Sequence, residues 1–415
     1  MTLKPKIAQY ITEIIATLQN AGYEAYIVGG AVRDFLIDRQ PKDYDLSTSA
    51  TPEEIKKVFR KQHVMIIGRR FRLVHYYHGK EIIEISTFRR KPEHSEFEAT
   101  GKPVPAKFAA APEHMIFRDN EFGTAEEDAW RRDFTVNALF YDPVHDKILD
   151  YTGMGLEDIR NGIVRVIGEP EVRLEEDPVR ILRALKLVGQ YHFRMEPATE
   201  AAVRKCMPLI KLASDSRMTL ELEKILKNPY GDSILETFRE YGFLAYFLPS
   251  LNARWEEPEM KHVRELWSLR NERIRKGEYR ESISLAMSLI ALPFAEKRFN
   301  TKGNLFTYHA GIENELKEAI SRALCPRTPT KRAIAAAVRT LLLQPKFLNE
   351  SDENRERLKQ HPGYSHAREL ALIHNVIHKH SDHFEALWPK GNPNAKKRFS
   401  RHRSRNFNKR KNPPK

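Results

Sequence analysis

The sequence predicts a small α/β head, an all-α body and a disordered basic tail. Three observations lead there. Short apolar runs bounded by turn residues alternate with helical patterns up to about residue 155. From about Leu156 onward, apolar residues recur at helical spacing and extended runs vanish. From Ala386 to Lys415 there are eleven Lys or Arg and no Asp or Glu. Subtracting those eleven from the formal charge of +14 leaves only +3 for the rest of the 415 residues. A tail that concentrates the charge in this way suits a polyanion.

Taken in order, Ile7, Tyr10, Ile11, Ile14, Ile15 and Leu18 predict a helix that stops near Gly22. Ala25 to Val28 is then a short buried strand and Ala31 to Ile37 a helix. Thr51-Pro52-Glu53-Glu54 carries an N-cap, a proline at the first helical position and a capping-box glutamate. Extended stretches follow at Val64–Ile67, Arg70–Tyr77 and Glu81–Phe88, the last two joined as a hairpin across His78-Gly79-Lys80. Arg89 to Glu113 lacks periodicity and is expected to be a mobile loop. Beyond it, helices are expected at Asp177–Val188, Pro197–Met207, Met218–Leu226, Asp232–Tyr241, Glu281–Leu292, Glu313–Ala323 and Lys331–Leu343. The domain boundaries read as 1–155 (head), 156–250 (neck), 251–385 (body) and 386–415 (tail).

The chemistry is concentrated in the head. Asp43 and Asp45 stand at i and i+2, and on a short strand such residues share one face. They follow the sharp strand-to-helix turn at Gly29-Gly30, where glycines let a backbone approach phosphates and Arg33 sits one turn on. Paired hard oxygens beside a phosphate cradle suit Mg²⁺-dependent phosphoryl chemistry, with Mn²⁺ as the alternative ion. Glu84, a charge inside the apolar run Ile82–Ile85, is the candidate third carboxylate, and reads equally as an outward-facing residue of a half-buried strand.

Two further clusters carry polar chemistry. In Glu126–Ala138, Asp133 and Asn137 lie four apart on one helical face, a spacing suited to a ribose, with Arg131 or Arg132 placed for a phosphate. Acids followed by arginines also describe an ordinary salt-bridged helix. In Glu176–Arg183, Asp177 is an N-cap ahead of Pro178, while Arg180 and Arg183 share a stripe opposite Ile181, Leu182 and Leu185. An Asp acceptor beside an Arg donor can pair with the edge of adenine or of cytosine, so such a pair admits ATP and CTP alike. In the tail, Lys396, Lys397, Arg398, Arg401, Arg403, Arg405, Lys409, Arg410 and Lys411 interleave with Phe399 and Phe407, a composition suited to RNA phosphates and stacked bases.

Only Cys206 and Cys325 occur, which implies neither a disulfide framework nor a zinc site. No run of 18 apolar residues exists and the first twenty residues lack an apolar core, so a cytoplasmic protein without a membrane segment is expected.

Together, Gly29-Gly30-x-x-Arg33-Asp34, Asp43-x-Asp45, Arg131–Ala138 and Glu176-Asp177-Pro178-x-Arg180 resemble the class II tRNA nucleotidyltransferase/bacterial poly(A) polymerase family over about residues 25–250. The resemblance implies a polymerase-β-like nucleotidyltransferase head, an all-α neck that reads the base, and a helical body for RNA. It implies Asp43 and Asp45 as metal ligands and Gly30 and Arg33 as triphosphate contacts. Asp133 would be a further catalytic carboxylate, and Arg132, Asp177, Arg180 and Arg183 nucleotide contacts. Ile67–His75 and Phe117–Thr124 look like segments of the polyadenylating branch. The activity implied is template-independent transfer of AMP from ATP to the 3′ ends of mRNA, regulatory RNA or tRNA precursors, in RNA processing and decay. A CCA-adding tRNA nucleotidyltransferase is the nearest alternative, and a noncatalytic RNA-binding scaffold the next. One departure is Asp38, where the family often has glycine, which is expected to alter only the turn before the metal strand.

Overall fold

The first helix, α1 (Gln9–Asn20), forms because Ile11, Ile14, Ile15 and Leu18 recur at helical spacing, and all four are buried. This computed structural model describes residues 7–68, 72–91, 121–299 and 311–390. The chain divides into two compact units, Met1–Ala213 and Ser214–Lys415. That division falls inside the 156–250 segment read as the neck.

In the first unit, β1 (Ala25–Val28) runs into α2 (Gly30–Leu36), then β2 (Asp45–Thr48) and α3 (Pro52–Val58). Asp38 adopts a left-handed conformation (φ 57°), which explains why glycine suits that position. The capping box opening α3 is present: Thr51 Oγ1 accepts from the Glu54 N–H, and the Glu54 carboxylate accepts the Thr51 N–H at 2.8 Å. β3 (Val64–Ile67), β4 (Leu73–His78) and β5 (Glu81–Thr87) follow, with β4 and β5 forming the expected hairpin.

Arg89-Arg90, expected to begin a loop, instead forms β6 (Arg89–Arg90), paired with β7 (Glu121–Phe122). The rest of that expected loop lies outside the described residues. A second capping box, at Thr124 and Glu127, opens α4 (Ala125–Trp130). After it come a 3₁₀ turn (Thr135–Asn137), β8 (Leu139–Asp142) and β9 (Lys147–Asp150).

The main sheet has the order β3-β4-β5-β2-β1-β8-β9. Among the described residues its pairings are antiparallel except β2 with β5, which run parallel. This places β2, which carries Asp45, between the glycine-turn strand β1 and β5.

The segment after residue 155 supplies α5 (Gly155–Asn161), β10 (Ile163–Val164), α6 (Pro170–Glu176), α7 (Val179–Tyr191), β11 (Arg194–Met195) and α8 (Pro197–Cys206). Strands therefore do not vanish at Leu156: β10 and β11 pair in parallel. Two-residue strands are too short for a period-two pattern to register. α7 also runs past the expected end at Val188, to Tyr191, and stops where His192 takes a left-handed conformation.

The second unit is helical among the described residues. Its helices include Asp215–Lys227, Gly231–Glu240, Ile312–Leu324 and Lys331–Leu342, close to the expected spans. The helix expected to end at Leu292 instead spans Ile283–Phe299, straight through Pro293. Burial of Leu285 through Leu292 and of Ala295 outweighs the lost backbone bond. Pro258–Arg275 and Tyr364–Ile377 are additional helices that were not anticipated. Within this unit the Arg270 guanidinium is fully buried and donates to the Leu226 carbonyl at 2.8 Å, capping the end of Asp215–Lys227; burial pulls its pKa down to about 10. No helix among the described residues is long and apolar enough to cross a membrane.

Candidate active site

Gly29 takes φ 69° and ψ −127°, a conformation open essentially to glycine, and so turns the chain from β1 directly into α2. Its N–H donates to the Leu139 carbonyl at 3.1 Å, which pins the turn to β8. A Cβ built at Gly29 would lie 3.1 Å from Arg132 Nη1. The backbone conformation thus demands glycine, and a Cβ there would also crowd the Arg132 guanidinium. Gly29→Ala is expected to cost about 1–3 kcal/mol in denaturant unfolding; an unchanged unfolding midpoint would contradict the strain.

Asp45 opens β2 and is exposed, whereas the three residues after it are buried. Its register partner across the parallel ladder is Glu84, exposed between buried Ile83 and Ile85. Partners in a parallel ladder project to the same face, so Asp45 and Glu84 stand side by side. Exposed Asp43, by contrast, lies in a bend before β2 begins and not on the strand as expected, so no period-two register aligns it with Asp45. The three sets of carboxylate oxygens do not all lie within 4.8 Å of one another. Glu84 Oε1 is 3.6 Å from His75 Nε2. Exposed, spaced hard oxygens fit Mg²⁺, which keeps several waters and binds through one or two carboxylates plus substrate phosphates.

Arg33 is buried, and its guanidinium is held on several sides. Nη1 donates to Asn137 Oδ1 at 2.6 Å, while Nε and Nη2 donate to Asp34 Oδ1 at 3.0 and 2.8 Å. The Tyr191 ring of α7 lies 4.3 Å from Arg33 and 4.8 Å from Arg39, and its hydroxyl donates to Asp34 Oδ1 at 2.9 Å. Burial, together with Asp34, pushes the Tyr191 hydroxyl well above the ordinary phenol range.

Asn137 is the hub of the neighbouring turn. Its amide donates to Asp133 Oδ1 at 3.4 Å and its carbonyl accepts from Arg132 Nη1 at 3.4 Å. Asp133 and Asn137 do not share a helical face as expected: α4 ends at Trp130, and Phe134 is extended and bridges Val166. The 3₁₀ turn brings them together instead. Arg132 also lies over the Phe140 ring at 5.1 Å and is bound to buried Asp128 through Nη2 at 2.8 Å. Asp133 Oδ2 meets Arg183 Nη1 at 3.2 Å. Burial opposes the Asp133 charge, but Arg183 and Arg180 outweigh it and hold the carboxyl below its usual range.

Below this layer, buried Glu176 is gripped by Arg173, by Arg180 Nη1 at 3.0 Å and by Lys91 Nζ at 2.5 Å. Arg173 Nη2 donates to the carbonyls of Arg131 and Arg132, both at 2.7 Å, so Glu176 indirectly sets the position of Arg132. Asp177 Oδ1 accepts the Val179 N–H at 3.2 Å, capping α7 from one residue further out than Pro178. Arg180 is therefore anchored at one nitrogen to Glu176, while Arg183 is more exposed.

Sequence reasoning gave no role to Asp128, Arg173, Glu176 or Tyr191. The Asp128–Arg131–Arg132 spacing was visible as a salt-bridged helix; Tyr191 had no local signal. Lys396, Lys397, Arg398, Arg401, Arg403, Arg405, Lys409, Arg410 and Lys411 lie outside the described residues, as do residues 69–71 and 117–120 of the segments likened to the polyadenylating branch.

The sequence model for the "Poly A polymerase head domain" matches residues 25–165, and that for the "Probable RNA and SrmB- binding site of polymerase A" matches residues 192–254. The chain is 34% identical over 374 residues to poly(A) polymerase I of Haemophilus influenzae, covering 88% of this chain and 80% of that one. It is 30% identical over 382 residues to poly(A) polymerase I of Escherichia coli O157:H7, covering 91% and 80%. A CCA-adding enzyme of Geobacillus sp. (strain WCH70) is 37% identical over 244 residues, 59% of this chain and 55% of that one. In fold, the chain resembles the Bacillus stearothermophilus CCA-adding enzyme solved in complex with CTP, with a TM-score of 0.60, 24% identity and coverage of 91% and 81%.

Proposed function

Because the chain belongs to the family of bacterial poly(A) polymerase I and the CCA-adding enzymes, and is therefore a nucleotidyltransferase acting on RNA 3′ ends, we propose that it adds AMP from ATP without a template. The observation that carries this reading is the extent of the likeness. Matches to poly(A) polymerase I of Haemophilus influenzae and Escherichia coli run through the body, over about nine-tenths of the chain, whereas those to poly(A) polymerase I of Salmonella and to the CCA-adding enzymes cover about three-fifths.

Asp43 and Asp45 would hold the divalent ion, with Glu84 beside them as the third carboxylate. Such an ion neutralises the triphosphate and lowers the pKa of an attacking hydroxyl. The RNA 3′-oxygen attacks the α-phosphorus of ATP, its bond to that phosphorus forms, and the bond to the departing pyrophosphate breaks in line. Arg132, set against the Gly29 turn, supplies fixed positive charge where the phosphates pass. Arg33 holds that turn through Asn137 and Asp34 and adds its charge from beneath. Asp133 and Asn137 position the ribose. Asp177 and Arg180 read the base edge, Arg180 steadied by Glu176, while Arg183 is shared between Asp133 and the nucleotide.

The test supplies each NTP singly to the purified protein with an unstructured RNA and with a tRNA lacking its terminal CCA. Long ladders with ATP alone on both RNAs are expected. Incorporation of two C residues and one A, confined to the tRNA, would assign the CCA reaction instead.

A further inference from the structure

The second unit brings together three imidazoles that the head's chemistry does not use. His374 and His378 stand four apart at the end of the helix Tyr364–Ile377, and His262 faces them from the helix Pro258–Arg275. One ring nitrogen from each lies within 4.8 Å of the other two. The His374 and His378 rings are 4.4 Å apart at their centroids, and His262 is 6.2 Å from each. Two rings are half-buried and the third is exposed, so the group is framed by packing yet open to a solute.

We propose that His262, His374 and His378 form a zinc site that ties these two helices together. Imidazole nitrogens suit Zn²⁺, whereas Mg²⁺ prefers oxygen, so this site would not compete for the ion of the head. Two histidines at i and i+4 on a helix, joined by a third from another element, are a recurrent zinc donor set. A Zn–N distance near 2.0–2.1 Å implies nitrogens roughly 3.3 Å apart in a tetrahedron, so the rings close inward slightly on binding.

A second observation points the same way. Glu296, on the helix Ile283–Phe299, contacts His374 Nε2 at 3.0 Å, and Glu265 contacts His262 Nδ1 at 3.4 Å. A carboxylate on one nitrogen of a histidine fixes its tautomer and leaves the other nitrogen for a metal. The two carboxylates also balance the charge that Zn²⁺ would add to three neutral ligands. The fourth position falls to water.

The test is calorimetric titration of the untagged full chain with Zn²⁺ alone, in an Asp43→Ala/Asp45→Ala background so that the head's acids do not contribute. One ion bound at micromolar affinity or tighter is expected. His262→Gln and His378→Gln should each weaken binding at least tenfold, and Glu296→Gln about 10–100-fold. Co²⁺ substituted for zinc should give the visible absorption of a tetrahedral nitrogen site, lost in His262→Gln. If a histidine variant fails to fold by circular dichroism, the Glu296→Gln titration and the cobalt spectrum of the unaltered cluster decide. Absence of binding, or equal binding by folded histidine variants, overturns the proposal.

Discussion

Asp43→Ala and Asp45→Ala are each expected to abolish nucleotide incorporation while leaving RNA binding unchanged. The loss should be at least about 10²–10³-fold in turnover, the range seen when one group stabilising developing charge is removed. Both side chains are exposed, so neither substitution opens a cavity, and stability should move by no more than about 0.5 kcal/mol. The separation matters because inactivity through misfolding would also remove RNA binding. Primer extension on a short RNA, run beside a gel-shift on the same RNA, checks both halves. Turnover retained in the double variant would refute the assignment of the cation to this pair. Glu84 is better placed than Asp133 to complete the set. It is the ladder partner of Asp45, whereas Asp133 is committed to Arg183 and Asn137.

Glu176→Ala is expected to destabilise the head unit by about 3–5 kcal/mol, because it strips the counter-charge from buried arginines. Arg173 and Arg180 are both buried and both meet this one carboxylate. Glu176→Gln keeps the shape but not the charge and should lie between alanine and the unaltered protein. Equilibrium unfolding in urea measures both, and near-equal stability of all three proteins would mean that the arginines find other partners. The same group gives a pH dependence. Burial opposes the Glu176 charge, but Lys91, Arg173 and Arg180 outweigh it and lower its pKa. A carboxyl lowered in the folded state contributes fully above its ordinary value near 4.5, and that contribution fades as pH falls through the folded value. Acid unfolding should therefore be less steep in Glu176→Gln. Function should also suffer, since Arg173 holds the carbonyls of Arg131 and Arg132 and so places the Arg132 guanidinium.

What could be seen in advance follows the range of the interactions involved. The Gly29 turn, the Thr51 capping box and the β4–β5 hairpin were all legible, because each depends on residues within a few positions of one another. Helix ends were less so. The helix expected to end at Leu292 continues through Pro293 on the strength of burial that local composition does not reveal.

By itself, the sequence determined the Gly29 turn, the two acids that follow it and most of the longer elements, since backbone propensity and side-chain periodicity act over a few residues. Only the tertiary structure decided that Glu84 neighbours Asp45, that Arg33 leans on Asn137 and Tyr191, that Glu176 anchors Arg173 and Arg180, and that three histidines converge in the body. Except for Glu176 with its two arginines, those pairings join positions far apart along the chain. Charge and burial select them only after the sheet and helices have packed, and no local spacing records the choice.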